Sequence, residues 1–186
     1  TYSRRFEDFD HTVLGQLKNI FTKDELLLLH DLGVSDGRTA VDFFELMSVA
    51  FSNLQYTASD YNPNVYLLKK GRCEVILSHT GKVLEILFPP FIFNAIKRDS
   101  YKHYPFNHLI RLFVQFLIVT PLLKAHKLGK VHSRELNLFA PRVLKVDNDN
   151  KNFCLAQHDL LQPFKEQVHV IRAMNVLNSS YFSDIE

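Results

Sequence analysis

Apolar positions recur at steps of three and four through the first segment: Phe6, Phe9, Val13, Leu17 and Ile20, with Leu14 and Phe21 widening the stripe. That period predicts an amphipathic helix. Thr22 and Glu25 stand at capping-box spacing and predict a second short helix over 22–29, which Gly33 and Gly37, with Ser35 and Asp36 between them, end in a turn. Residues 40–54 satisfy two periods at once. Val41, Phe43, Met47, Val49 and Phe51 alternate as in a strand, broken only by Glu45, whereas Ala40, Phe43, Phe44, Met47, Ala50, Phe51 and Leu54 make a helical stripe. Periodicity alone leaves both open.

Downstream the pattern shortens. Residues 59–64 (SDYNPN) form a turn-rich loop, 65–69 and 73–78 read as strands, and His79-Thr80-Gly81-Lys82 reverses the chain into a strand over 83–88. Pro89-Pro90 stops that strand, because proline has no N–H for the ladder. Residues 97–104 make a polar, basic link. Pro105 fits the first turn of a long helix over 106–123 that ends near Gly129 and is apolar on nearly every side. Such a helix is expected at the centre of the molecule, with Phe113 and Phe116 buried and Phe116→Ala costing about 3–5 kcal/mol. Residues 142–146 and 152–155 flank Asp147-Asn148-Asp149-Asn150 as a second hairpin. Pro163 precedes a last helix carrying Val168, Ile171, Val176 and Leu177. The order of elements predicts an α+β fold in two halves, divided near 97–104.

Composition narrows the function classes. Of 186 residues, 46% are hydrophobic and 23% charged, enough for a real core. Phenylalanine is abundant (16) and tryptophan absent, so most rings are expected inside or on a contact surface. A net charge of +2 does not by itself imply nucleic acid. Cys73 and Cys154 lack a CxxC pattern, which reads as a reduced, intracellular protein. The polar segment 1–10 has no secretory character, and a chain opening on Thr1 reads as a piece of something longer. The stretch 106–123 is interrupted by Asn107, His108, Arg111, Gln115 and Pro121, which argues against a membrane span.

Chemistry-bearing motifs are thin, and no catalytic, cofactor-binding or metal-binding residue is assigned. His103 and His108, and His126 and His132, lack zinc spacing. The run from Asp147 to Asn150 starts like a calcium loop, but Asn152 stands where glycine is needed and His158 where the closing acid belongs. There is no Gly-x-Ser-x-Gly elbow, Walker loop or glycine-rich dinucleotide turn. Glu74 and Glu85 are read as ordinary surface partners of Lys69, Lys70, Arg72 and Lys82. Two basic clusters, at 97–103 (Lys97, Arg98, Lys102, His103) and 124–134 (Lys124, His126, Lys127, Lys130, His132, Arg134), supply the alternative reading, a nucleic-acid-binding module.

The run Asn64-Val65-Tyr66-Leu67-Leu68-Lys69-Lys70, followed by Phe88-Pro89-Pro90-Phe91-Ile92, resembles the centre of the CENP-O family of inner-kinetochore subunits, whose budding-yeast members belong to the COMA complex. The resemblance covers about 41–138. It implies a tandem RWD fold, with small antiparallel sheets flanked by helices: an N-terminal helix and first RWD-like domain over 1–97, and the central helix and a second RWD-like domain over 98–186. It also implies strands at 41–51, 65–77 and 83–88, with the helix at 106–123 packed on them. The function implied is non-enzymatic: a nuclear scaffold at the centromere that heterodimerises with a CENP-P family subunit, contacts other inner-kinetochore proteins and helps link chromatin to the outer kinetochore. No cofactor and no membrane is expected. No partner-binding residue carries over.

Overall fold

Two sheets of opposite kind organise the chain in a computed structural model that describes residues 6–94 and 105–174. The fold class is α+β. One compact unit comprises Thr1–Pro63 with Leu138–Glu186; the other is Asn64–Asn137. Each is taken by itself.

The first unit holds helices α1 (Glu7–Lys18), α2 (Arg38–Ala50) and α5 (Pro141–Asp149) and strands β1 (Leu27–Leu32), β2 (Leu54–Asp60), β8 (Phe153–Gln157) and β9 (Val170–Ala173). The strands are all parallel, in the order β8-β2-β1-β9. Leu27, Leu29 and Asp31 of β1 share a face with Leu54, Tyr56 and Ala58 of β2. That face joins Leu14 and Leu17 of α1, Phe43, Phe44 and Met47 of α2 and Val143 of α5 in one core. Phe44, Tyr56 and Phe153 pack ring to ring within it, at centroid separations of 5.0–5.6 Å. The opposite face of β1 carries His30, which meets His158 and Phe164 of the segment leading into β9.

The second unit holds β3 (Asn64–Lys70), β4 (Cys73–Leu77), β5 (Val83–Phe88), β6 (Phe91–Asn94) and β7 (Arg134–Asn137), antiparallel in the order β6-β5-β4-β3-β7. Its helix runs as α3 (Pro105–Val114), one π-helical stretch (Gln115–Val119) and α4 (Thr120–Lys127). Val114, Val119 and Leu122 close over Leu68, Val75, Leu77, Ile86 and Phe93.

The first helix, the strand over 65–69, the hairpin over 73–88 and the long helix from Pro105 form as the sequence predicts; several other elements differ. Residues 22–29 do not make a helix. Glu25 does accept the Thr22 N–H (3.1 Å), but Leu27, Leu29 and Asp31 bury in alternation as β1. Residues 41–51, the first strand implied by the RWD resemblance, belong to α2 up to Ala50, with Phe51 as its carboxyl-terminal cap. An alternating pattern would have buried Glu45 beside Phe43 and Met47; the helix turns Glu45 outward, where it accepts a hydrogen bond from Arg142 at 2.7 Å. The span 65–77 is two strands, β3 and β4, and the parallel sheet of the first unit is not the antiparallel one of a tandem RWD. The second hairpin is absent: 142–146 lies in α5, with Pro141 in its first turn and Val143 buried, and only 153–157 is a strand. Ile171 sits in β9 rather than a last helix, and Val176 and Leu177 lie outside the described residues.

The division expected at 97/98 also moves. Parallel neighbours such as β2 and β8 need a crossover, and the whole second unit is inserted in that crossover. Its two stems meet where the Leu138 N–H donates to the Pro63 carbonyl at 2.8 Å.

The helix expected at the centre is peripheral on one side. Phe113 is 63% and Phe116 77% exposed, because a single sheet covers only the flank that carries Val114, Val119 and Leu122. His108–Lys127 is long and apolar enough to cross a membrane by length and composition, and 17% of it is buried.

Candidate functional site

The first unit places a glycine-bearing loop at a reversal of its strand order. From β1 the chain crosses through α2 to β2 and then through α5 to β8, and both helices bury on the same face of the sheet. From β8 it returns to β9 along the opposite face, where His158 and Phe164 lie against His30 at centroid separations of 5.4 and 4.8 Å. Right-handed crossovers demand this change of face when the strand order reverses. The candidate crevice is therefore the switch point between β1 and β9, beyond their carboxyl ends, where open α/β sheets bind ligands.

The loop there, Gly33-Val34-Ser35-Asp36-Gly37, is held in an uncommon backbone shape. Gly33 (φ 64°), Ser35 (φ 55°) and Gly37 (φ 77°) occupy the left-handed region, and Ser35 is the one residue other than glycine to do so among the described residues. A side chain pays for that conformation, and such strain gathers at ligand-holding sites. Gly37 caps α2 and cannot be enlarged freely: a Cβ would stand 2.8 Å from Val143 Cγ1. Asp60, the last residue of β2, fixes the loop. Its Oδ2 accepts the Ser35 N–H at 2.8 Å and its Oδ1 the Asn62 N–H at 3.1 Å. The Val34 N–H donates to the Ser59 carbonyl at 3.1 Å. Asp36 accepts the Arg38 N–H at 3.2 Å and pairs with the Arg38 guanidinium at the same distance, so the amino end of α2 already carries a carboxylate.

Beneath the crevice lies a buried charged network. Arg172 of β9 donates to Asp31 Oδ2 at 2.6 Å and to Asp10 Oδ1 at 2.9 Å, and the Tyr56 hydroxyl donates to Asp31 Oδ2 at 2.7 Å. The guanidinium also lies 4.6 Å from the centre of the Phe43 ring. Burial pushes both carboxyls above their usual range, with Arg172 pulling the other way. Burial and Asp31 together hold the Tyr56 hydroxyl protonated. On the other face, His30 is lowered to about 4, by burial first and His158 second; its Nε2 is 2.8 Å from Ser59 Oγ.

The residues singled out by sequence scatter. Asp147 to Asn150 finish α5 and its turn, with Asp147 accepting the Leu155 N–H at 2.8 Å. Lys69 pairs with Glu74 at 2.7 Å. The cluster at 97–103 lies outside the described residues, while Lys124, Lys127, Lys130, His132 and Arg134 are exposed and the His126 ring sits 2.9 Å from the Val131 carbonyl. Among the described residues no group of three or more His, Cys, Asp or Glu side chains is placed to hold a metal ion. With 22–29 taken as helix, Gly33 to Gly37 reads from sequence as a mere turn. An apolar run, a Gly-x-x-x-Gly turn, an amphipathic helix and an acid closing the next β-rich run were the available signal. No family model, curated protein or solved structure matches the chain.

Proposed function

We propose that the first unit binds a nucleoside-containing cofactor in the crevice between β1 and β9. The observation that carries this is the strand order β8-β2-β1-β9 with the Gly33–Gly37 loop at its reversal. In sheets of this order the first glycine-bearing turn admits the cofactor backbone, and an acid at the end of the second strand meets the ribose hydroxyls. Asp60 stands at that position. Charge favours one cofactor class. A pyrophosphate at the amino end of α2 would meet the carboxylate of Asp36, which already accepts the Arg38 N–H there, so an anionic dinucleotide fits poorly. A cationic sulfonium nucleoside of the S-adenosylmethionine class suits that carboxylate and leaves Asp60 for its ribose. The chemistry such a cofactor supplies is methyl transfer: an acceptor's lone pair attacks the methyl carbon, and the carbon–sulfur pair leaves on sulfur.

Isothermal titration of the chain with S-adenosylmethionine, S-adenosylhomocysteine and NAD tests this. Binding of the two adenosyl compounds, weakened about tenfold or more by Asp60→Ala, which removes the carboxylate that both holds the Ser35 N–H and faces the ribose, is expected. NAD binding in their place transfers the site to dinucleotides, and three flat titrations remove the cofactor reading.

A second reading, a non-enzymatic interaction subunit, draws support from the second unit. The segment that resembles the CENP-O family is there an antiparallel meander, and the helix beside it exposes large apolar side chains. On that reading the chain pairs with a CENP-P family subunit at the centromere. Co-purification with that subunit is its test, and its failure removes this reading.

A further inference from the structure

Phe106, Leu109, Leu112, Phe113, Phe116 and Leu117 are exposed along one helical stripe of the second unit, spaced three and four apart. A contiguous face of large apolar side chains is unusual on a monomer and marks a contact surface. The charge around it identifies the partner. Between positions 105 and 134 there is no Asp or Glu, but there are five Lys or Arg and three His. Lys124 and Lys127 continue the exposed side of the helix toward its carboxyl end, and Lys130, His132 and Arg134 follow, all exposed.

We propose that this face seats on an anionic lipid surface, the helix lying in the plane of the membrane. Phenylalanine and leucine enter the boundary between headgroups and acyl chains, and the lysines meet the lipid phosphates, the arrangement that anchors amphipathic helices at interfaces. A second copy of the chain would set this cationic face against itself. Single-stranded nucleic acid would find Lys124 and Lys127 but not a stacking platform, since half of the stripe is leucine. Spanning the bilayer conflicts with the other flank, where Val114, Val119 and Leu122 are closed into the core of the second unit.

The test uses the full chain with sedimented vesicles of phosphatidylcholine, alone or with about 30% phosphatidylserine. Binding to the anionic vesicles is expected, about tenfold or more weaker on neutral ones and in high salt. Two variants, F113S/F116S and K124E/K127E, each lose it while keeping the wild-type circular dichroism. The exposed positions of all four side chains make unfolding an unexpected result for both pairs. Equal affinity for neutral vesicles, no binding, or binding untouched by both variants overturns the proposal. So does a dimer that F113S/F116S dissociates, or an oligonucleotide complex that the same pair abolishes, which assign the face to a second copy or to nucleic acid.

Discussion

The two units solve the same burial problem with opposite resources. In the first, three helices close one face of a parallel sheet, and the interior admits charge: Asp10, Asp31 and Arg172 are the buried charged residues among those described. In the second, one helix closes one face of an antiparallel sheet, the core is apolar, and the surplus apolar residues lie outside. A buried ion network stabilises little in itself, since desolvation offsets attraction, but it makes its members depend on each other. An uncovered apolar stripe stabilises nothing until something meets it. The first unit thus concentrates its charge inside, and the second leaves apolar surface outside.

The largest expected break in that contrast is Arg172→Met. It leaves Asp10 and Asp31 buried without their cation and costs the first unit about 3–5 kcal/mol. Lys69→Ala removes the Lys69–Glu74 pair of the second unit, which is largely exposed on the lysine side, and costs less than about 1 kcal/mol. Urea melts followed by NMR signals from each unit separate the two. Equal losses would mean that the Arg172 network is wetter than its geometry implies.

The glycines sharpen the comparison at a smaller scale. Gly37 and Gly71 both have positive φ, but only Gly37 also meets a wall, with a Cβ position 2.8 Å from Val143 Cγ1 and open space around that of Gly71. Gly37→Ala is expected to cost about 2–4 kcal/mol and Gly71→Ala about 1 kcal/mol, the strain of the backbone alone. A smaller loss at Gly37 than at Gly71 would show that Val143 yields and that the loop is not clamped.

What sequence makes legible follows the range of the interaction. The hairpin of β4 and β5 is local: its alternation and its Gly81 turn lie within sixteen residues, 73–88, and it forms as read. The parallel sheet is not local. Leu29 pairs with Tyr56 on one side and Val170 on the other, and no short window contains both partners. Without those partners, Leu27 to Leu32 reads equally as the end of a helix. The α+β class survives because it depends only on the presence of both element types. The crevice was illegible for the same reason as the sheet, since a loop becomes a site only when the strand order reverses beside it. Asp60 reads from sequence as part of a turn-rich run, and nothing in its neighbours announces that it holds the Ser35 N–H.

Acid distinguishes the units further. His30 is held near 4 in the folded chain against an ordinary 6.5, so the folded state prefers the neutral ring. Its contribution is therefore present above 6.5 and is lost as the pH falls toward 4, which takes about 1–2 kcal/mol from the first unit after allowance for partial exposure. Asp10 and Asp31 act in the opposite sense, because raised carboxyl values favour proton uptake by the folded state. Comparing wild type with His30→Gln across that window isolates the imidazole. The variant should lose less stability on acidification than wild type does, and an unchanged slope would place the ring in water.

The smallest expected effect is the most diagnostic for the second unit. Phe116 looks from sequence like a core residue whose truncation costs several kcal/mol, yet it is 77% exposed, while Leu122, further along the same helix, is 2% exposed. Truncating an exposed ring removes little buried area, so Phe116→Ala should change stability by less than about 0.5 kcal/mol. Leu122→Ala, which opens a cavity beneath the helix against Val75 and Ile86, should cost about 2–5 kcal/mol. The inversion of size and cost is the point, because the larger side chain should matter less to folding. If Phe116→Ala costs as much as Leu122→Ala in the chain alone, the ring is covered in solution and the stripe is core after all. If it costs nothing alone but lowers stability measured with anionic vesicles present, the ring's energy is spent on the surface it meets, as linkage between binding and folding requires.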